Sequence, residues 1–266
     1  MANMTSGIVY SISHPVWMPA CLLSARSAAD KMPEVERELY LTHAVAAELS
    51  GNWRAAFHRV VMLDTARHFH RPRFEAMLQT GIGRALCIDA DTFFVEPVHE
   101  LFEMLDHFDV AAMPAPQYIH PLAIEKGITG LMPHVPESVP EWNGGVIAAR
   151  MTPEVKRWVE TWSSLFEQCM ARGYQMDQAS LRSSLVHSGL RIASLPNNYN
   201  FRANIPQVVA RNVKILHAHG DLPEIARTIN ASSGIRTYAP DRRLIHGQFP
   251  KDFTAQSMEF FRKQLQ

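Results

Sequence analysis

Two carboxylates, Asp89 and Asp91, directly follow a short run of apolar residues, Ala85 to Ile88. Such a bounded apolar run is typical of a central strand in an α/β sheet that is covered on both faces. Side chains two positions apart at the end of a strand project to the same side, so these carboxylates repel each other unless a cation lies between them. Hard divalent cations bind carboxylate oxygens and leave coordination positions for phosphate oxygens. The pair therefore indicates a metal-assisted site for a nucleotide diphosphate.

Four further polar clusters lie at the ends of predicted strands or at the starts of predicted helices, where α/β folds place their chemistry. Taken alone, each has an ordinary structural explanation. An Asn-Gly pair forms tight turns, an aspartate caps a helix, an Asn-rich stretch forms a loop, and a histidine can lie hydrogen-bonded in a core. Their order and spacing together single them out: Asn143-Gly144-Gly145, Asp177-Gln178, Asn197-Asn198-Tyr199-Asn200 and His217-Ala218-His219-Gly220.

The predicted elements that position these clusters alternate between strands and helices, which indicates an α/β fold. Strands are predicted over residues 7–12, 59–63, 85–88, 109–113, 143–149, 190–195 and 213–217, and helices over 33–50, 73–79, 97–107, 153–172, 177–187 and 254–264.

The helix at 153–172 has the strongest pattern. Thr152 is placed to cap it, Pro153 occupies its first position, and its apolar face with two tryptophans predicts a contribution to the core. Residues 114–140 contain six prolines, so they predict a long irregular connection that either borders a ligand site or is a structural excursion.

The composition is that of a globular protein: 266 residues, 47% of them hydrophobic and 20% charged. The net charge of zero leaves no basic surface for a polyanion, so no nucleic-acid partner is expected. Cys21, Cys87 and Cys169 are scattered, which predicts buried, reduced thiols. The sequence has no run of about 18 apolar residues and no recognisable signal peptide, so we expect a cytoplasmic protein without a transmembrane segment.

The series CIDADTFF, WNGGVIAAR, MDQASL, LPNNYNFR and ILHAHG resembles the nucleotide-sugar glycosyltransferases of the GT-A fold. It is most similar to those related to glycosyltransferase family 8, the glycogenin-like and bacterial galactosyl- and glucosyltransferases. The resemblance runs from about Ile8 to Gly220. It implies a GT-A domain over residues 1–220, with a central mixed, mostly parallel sheet flanked by helices. Residues 221–266 would form a C-terminal extension packed on the same domain.

The implied activity is metal-dependent transfer of a hexose from a nucleoside-diphosphate sugar, in this family commonly a UDP-sugar, with retention of configuration. The acceptor would be a sugar, a glycan, a lipid or a protein. By this resemblance Asp89, Asp91 and His217 hold Mn²⁺ or Mg²⁺ on the diphosphate, and Asp177 and Gln178 face the reacting sugar. The implied donor-binding residues are Ile8, Tyr10, Arg84, Asp89, Ala90, Asp91, Asn143, Gly144 and Gly220.

The chain departs from the family pattern in two places. Related enzymes have a Lys-Pro-Trp element after the H-x-x-G motif, and its lysine meets the phosphates; here Asp221-Leu222-Pro223-Glu224 stands instead. The second departure is Asn-Gly-Gly at residues 143–145, where the family commonly has Asn-Ser-Gly. The residues that could replace the missing lysine are Arg202, Arg227, Arg242 and Arg243.

Alternative functions remain open at this level. Asp177 could act as the base of an inverting enzyme. A haloacid-dehalogenase-like phosphotransferase also has a D-x-D after an apolar strand, but there a glycine separates the second aspartate from the following threonine. In this chain Thr92 is adjacent to Asp91. A further alternative is a non-catalytic nucleotide- or carbohydrate-binding protein of the same fold. A sugar nucleotidyltransferase would need a Gly-rich basic loop after the first strand, and residues 13–27 contain none.

Overall fold

The computed structural model describes residues 4–64, 71–115, 119–232 and 234–240 of the chain. In chain order the strands are β1 (Ser6–Ile12), β2 (Glu36–Thr42), β3 (Arg59–Leu63), β4 (Arg84–Ile88), β5 (Thr92–Phe94), β6 (Val110–Pro114), β7 (Trp142–Arg150), β8 (Ile192–Ser194), β9 (Phe201–Arg202), β10 (Gln207–Val209), β11 (Ile215–His217) and β12 (Arg236–Tyr238). The α-helices are α1 (Met18–Lys31), α2 (His43–Ala47), α3 (Arg71–Gln79), α4 (Glu100–Glu103), α5 (Pro121–Glu125), α6 (Pro153–Ala171), α7 (Gln178–Val186) and α8 (Leu222–Ile229).

Seven strands form one mixed sheet in the order β3-β2-β1-β4-β7-β6-β8. The first four of these are parallel, whereas β7 runs antiparallel to both β4 and β6. Because β7 runs the other way, its first residues lie at the same edge as the last residues of β1 and β4. A three-stranded sheet, β5-β11-β9, and the pair β10-β12 complete the fold. The predicted mixed, mostly parallel sheet flanked by helices is confirmed.

Helices cover both faces of the central sheet, and β4 shows this best. Its side chains alternate, with Leu86 and Ile88 in the layer formed with α1 and Ala85 and Cys87 in the layer formed with α3 and α6. A strand with two buried faces needs apolar residues at every position, which is why it appears in the sequence as an unbroken apolar run. Cys21, Cys87 and Cys169 are all buried and unpaired, as predicted.

The strongest predicted helix is present as α6. Thr152 caps it by accepting a hydrogen bond from the Val155 N–H, at 3.4 Å. Gly173 follows its end with a positive φ of 69°, a conformation that suits glycine. Trp158 and Trp162 stack on one another within the apolar layer, so the tryptophans of this helix belong to the core as predicted.

The helix predicted over 33–50 is wrong. Residues 36–42 form β2, and only the short helix α2 follows it. Glu38 lies buried in this strand because its carboxylate accepts hydrogen bonds from Tyr40, Arg59 and Thr80 at 2.7–2.9 Å. Hydrogen-bond partners from distant segments thus allow a charged residue inside a sheet, and the local sequence pattern does not reveal these partners. Helix α1 was not predicted at all.

The remaining predicted elements are partly confirmed. The helix predicted over 97–107 is present as α4 and a 3₁₀ turn, Met104–Asp106. Residues 119–140 are largely irregular, with α5 and a 3₁₀ turn, Ile128–Gly130. Helix α8 and β12 pack on the apolar cluster that includes Phe201 and Leu216. The helix predicted over 254–264 lies outside the described residues. Among the described residues, every helix is too short or too polar to cross a membrane.

Candidate functional site

The predicted cluster of acidic residues lies at the edge of the sheet where β1 and β4 end and β7 begins. The Asp89 N–H donates to the Gly145 carbonyl at 2.9 Å, which continues the β4–β7 pairing up to the first aspartate. The chain then turns into β5, which pairs with β11 so that Thr92 lies opposite His217. The Ala218 N–H donates to the Asp91 carbonyl at 3.0 Å. These backbone contacts bring His217 to the aspartates from a distant part of the sequence.

The three side chains lie close enough to share one ion. His217 Nε2 lies 3.4 Å from Asp91 Oδ1 and 3.7 Å from Asp89 Oδ2. Two ligands that each lie about 2.1 Å from one ion are about 3 Å apart when adjacent and about 4.2 Å apart at most. Both distances fall within this range, and within the described residues this is the group of His, Cys, Asp and Glu side chains spaced to hold a metal ion. Two carboxylates and one imidazole therefore fit a divalent cation.

The tautomer of His217 follows from a chain of hydrogen bonds that starts at a backbone group. The Gly145 N–H can only donate, and it donates to Asn143 Oδ1 at 3.0 Å. Asn200 therefore directs Nδ2 to that same oxygen, at 2.9 Å, and directs Oδ1 to His217 Nδ1, at 2.8 Å. As the partner of an acceptor, Nδ1 carries the proton.

In the neutral imidazole, a proton on Nδ1 leaves the lone pair of Nε2 directed at the two carboxylates. A lone pair that faces two negative groups is unfavourable unless a cation lies between them. A buried hydrogen bond on the other ring nitrogen is also what orients metal-binding histidines in general. Asn143 and Asn200 thus prepare His217 to act as a ligand.

The Asn-Gly-Gly segment has no room for side chains at its two glycines. A Cβ at Gly144 would collide with the Arg73 guanidinium, and a Cβ at Gly145 would collide with the His217 imidazole. The pairing of β6 with β7 shifts register here, with Ala112 opposite Ile147 but Met113 opposite Asn143. Such bulges are common beside active sites. The glycines let the start of β7 pass directly under the site.

Arg73, near the start of α3, links the metal-binding aspartates to the predicted catalytic residues. Its guanidinium donates to Asp89 Oδ1 and, at 2.9 Å, to Asp177 Oδ2. Burial alone would lower the pKa of Arg73, but the two carboxylates outweigh it and raise that pKa well above the usual range. Sequence reasoning missed this residue. One available signal is that a basic residue in the first turn of a helix opposes the helix dipole and so needs an acidic partner.

Asp177 and Gln178 are buried at the start of α7 and line the same cavity. Asp177 stands at the N-cap position, yet its carboxylate makes no capping hydrogen bond and instead accepts from Arg73. The side chain of Asp177 therefore does not act as a helix cap, which was the ordinary structural explanation for this residue. Its carboxylate is held towards the cavity.

Two adjoining cavities meet at this edge of the sheet and share Arg73, Asp89 and His219. The larger has a volume of about 500 Å³, within the roughly 300–1,000 Å³ typical of small-molecule sites. Its lining residues are Arg73, Asp89, Asn143, Gly144, Gly145, Gln175, Met176, Asp177, Gln178, Arg202, His217 and His219. The smaller is lined by Ser11, Ile12, Ser13, Trp17, Arg73, Asp89, Ala90, Asp91 and His219.

Most of the predicted donor-binding residues converge here, but four do not. Arg84 begins β4, five positions before Asp89 and so about 16 Å away along an extended chain. It pairs with Asp106 instead. Ile8 and Tyr10 are fully buried in the core, and the residues that reach the cleft from β1 are those at its end. Gly220, with a φ of 107°, follows His219 but does not line either cavity.

The described part of the irregular connection, residues 119–140, packs against α6 and α7 and lines neither cavity. Arg182 holds it by donating to the carbonyls of Val139 and Pro136, at 2.7 and 2.8 Å. Lys126 donates to the Gly173 carbonyl at 2.8 Å. Within the described residues, this segment behaves as a structural excursion next to the site.

Comparison with known proteins gives a likeness of structure without a likeness of sequence. No protein-family model matches the chain. No curated protein matches it either. Among solved structures, the glycosyltransferase GlyE of Streptococcus pneumoniae TIGR4 superposes with a TM-score of 0.59 at 15% identity, over 86% of this chain and 62% of GlyE. The galactosyltransferase LgtC, solved with donor and acceptor sugar analogs, gives a TM-score of 0.55 at 14% identity, over 94% of this chain and 99% of LgtC.

The chain has the GT-A glycosyltransferase fold. The resemblance drawn from the sequence motifs is thereby confirmed at the level of the fold. The bifunctional glycosyltransferase WbbM also matches, with a TM-score of 0.51 at 13% identity, over 82% of this chain and 46% of WbbM. The chain therefore spans less than two thirds of GlyE and of WbbM, but almost all of LgtC. In this GT-A fold the site lies at the carboxyl ends of the parallel strands, as expected for α/β proteins.

Proposed function

We propose that this protein is a metal-dependent glycosyltransferase that moves a hexose from a nucleoside-diphosphate sugar, a UDP-sugar, to an acceptor with retention of configuration. The observation that supports it most is the group of Asp89, Asp91 and His217, in which His217 Nε2 lies 3.4 Å from Asp91 Oδ1 and 3.7 Å from Asp89 Oδ2. The GT-A fold supports the same proposal. In this proposal the protein acts in the cytoplasm.

The metal would be Mn²⁺ or Mg²⁺, held by these three side chains. When bound, it supplies Lewis-acid stabilisation of the negative charge that develops on the diphosphate. Asn143 and Asn200 keep the imidazole in the required tautomer and orientation. The two carboxylate oxygens of Asp89 have different partners: Oδ1 accepts a hydrogen bond from Arg73, and Oδ2 faces His217.

In the transfer step, the bond between the anomeric carbon and the diphosphate oxygen breaks, and its electron pair passes to that oxygen. The acceptor hydroxyl oxygen forms the new bond to the anomeric carbon, and its proton passes to the leaving diphosphate. This route needs no strong protein base. Asp177 and Gln178, which line the cavity, would position the sugar and support its developing positive charge.

The contacts of Asp177 support this role over that of a base in an inverting enzyme. Its Oδ2 accepts a hydrogen bond from the buried guanidinium of Arg73 at 2.9 Å. A carboxylate fixed in this way is suited to electrostatic support from one position. Because Arg73 donates to both carboxylates, it holds Asp177 and Asp89 in fixed positions relative to each other.

A thermal-shift panel tests the proposal directly. Binding to the native state alone raises the melting temperature, so UDP, GDP or ADP should stabilise the protein in the presence of Mn²⁺ and much less in EDTA. Asp91→Asn should lose this metal-dependent shift and keep the fold. The matched control is Asp106→Asn, because Asp106 pairs with Arg84 at the other end of β4. The control should behave as the wild type does.

Three other outcomes would overturn the proposal. An unchanged metal-dependent shift in Asp91→Asn would remove the aspartate pair from the site. Release of phosphate from an aryl phosphate would favour a phosphotransferase. A metal-dependent shift without any hydrolysis or transfer of UDP-glucose or UDP-galactose, across sugar, lipid and protein acceptors, would indicate a binding protein.

A further inference from the structure

Arg202 is a cationic side chain in the larger cavity that the site described so far does not use. It forms the end of β9, which pairs with β11 in parallel so that Arg202 lies in register with His217. In-register neighbours on adjacent strands project to the same face of a sheet. Arg202 therefore reaches the cavity beside the proposed metal ligand, and it lines that cavity together with Arg73, Asp89 and Asp177.

The guanidinium of Arg202 makes no hydrogen bond or ion pair with the described residues, although it is half-buried. Among the described residues, the four buried arginines all have acceptors: Arg37 and Arg182 donate to backbone carbonyls, Arg73 to Asp89 and Asp177, and Arg236 to Ile229 and Arg211. Burial lowers the pKa of Arg202, and the carboxylates of Asp89 and Asp91 offset part of that effect. A guanidinium in this state is poised to bind an anion.

The place where related enzymes have a phosphate-binding lysine offers no cation here. Asp221 instead caps α8 by accepting from the Glu224 N–H at 3.2 Å. Arg227 lies on the exposed side of α8, where Glu224 pairs with it at 2.7 Å, and it lines other cavities. Arg242 and Arg243 lie outside the described residues. Among the four arginines that the sequence offers, Arg202 is the one that the described structure brings beside Asp89 and His217.

We propose that Arg202 binds the terminal phosphate of the donor's diphosphate and stabilises the leaving nucleoside diphosphate, in place of the absent lysine. The inference rests on the proposed function. A guanidinium presents a planar fork of donors that matches two oxygens of one phosphate. As the bond to the sugar breaks and its electron pair passes to the diphosphate oxygen, this fork offsets the added negative charge without a change in protonation.

The test measures affinity, so that it does not depend on turnover. Calorimetry at saturating Mn²⁺ compares the nucleoside diphosphate that gives the largest shift in the panel of UDP, GDP and ADP with its own monophosphate. Because charge-assisted hydrogen bonds are the stronger kind, Arg202→Gln should weaken diphosphate binding about tenfold or more. It should weaken monophosphate binding much less. Arg202→Lys should restore part of the affinity, and Arg227→Gln should change neither.

The outcomes separate this inference from the proposed function. If the wild type shows no metal-dependent binding of any of the three diphosphates, the proposed function fails and Arg202 loses its role with it. If the wild type binds and Arg202→Gln binds the diphosphate equally well, the assignment of Arg202 alone is wrong. An equal loss for diphosphate and monophosphate would place Arg202 elsewhere on the nucleotide and would also overturn the assignment.

Discussion

Asn200 provides a sharp test of the site, because its proposed effects on stability and on metal binding can be separated. It is fully buried and joins Asn143 to His217 by hydrogen bonds of 2.9 and 2.8 Å. In Asn200→Ala the Nδ1–H of His217 has no acceptor. The imidazole then gains by moving its proton to Nε2, where it can donate to Asp91 but can no longer bind a metal.

The magnitude follows from these two hydrogen bonds. Loss of a partner that orients a metal ligand weakens metal affinity about 10–100-fold, or about 1.4–2.7 kcal/mol. A buried donor left without an acceptor costs about 1–3 kcal/mol of folding stability. Asn200→Asp differs in an informative way: its carboxylate still accepts from Nδ1, but its other oxygen faces Asn143 Oδ1 and adds a buried charge.

We therefore expect the order of the two variants in folding stability to be the reverse of their order in Mn²⁺ affinity. Asn200→Asp should be the less stable in urea unfolding, and it should nevertheless bind Mn²⁺ more tightly than Asn200→Ala, as measured by electron paramagnetic resonance of free Mn²⁺. Asn197→Ala is the matched control on the same turn, because Asn197 donates to the Val208 carbonyl away from the site. The reasoning is refuted if Asn200→Ala binds Mn²⁺ as the wild type does.

Two further predictions concern Gly145 and Glu141. Gly145→Ala should weaken Mn²⁺ affinity at least tenfold by the same assay, because its Cβ would displace the His217 imidazole, whereas Gly130→Ala, with open space around it, should not. Burial raises the pKa of the Glu141 carboxyl from 4.5 to about 7. The folded state therefore holds this proton more tightly, and the stability that it contributes below pH 4.5 is lost as the pH rises through 7. Glu141→Gln should lack this loss, so between pH 5 and pH 8 its free energy of unfolding in urea should rise by about 3 kcal/mol relative to that of the wild type. An equal pH dependence of the two unfolding free energies would contradict this prediction.

Features that depend only on neighbouring residues could be read from the sequence. Strand β4 is predictable from the apolar run before Asp89, because both of its faces are buried. Helix α6 is predictable because its cap, its proline and its apolar face all lie within one segment. The motif series indicated the GT-A fold through its resemblance to known glycosyltransferases. The apolar run and the helix are local features, so chain geometry alone relates them to structure.

Local patterns failed where distant residues decide the outcome. The segment 33–50 was predicted as a helix from its apolar spacing, but residues 36–42 form β2 because β1 and β3 pair with it on both sides and distant side chains satisfy Glu38. Arg84 is close to Asp89 in sequence, but a strand carries it to the opposite edge of the sheet. Distance along an extended strand separates residues that a motif places together.

The residues that complete the site are set by tertiary contacts. Arg73 reaches Asp89 and Asp177 from α3, and Arg202 lies beside His217 through the pairing of β9 with β11. Asn200 acquires its role through hydrogen bonds to Asn143 on β7 and His217 on β11. Sheet pairing and helix packing set these contacts, and both depend on segments that are far apart along the chain, so no spacing in the sequence encodes them.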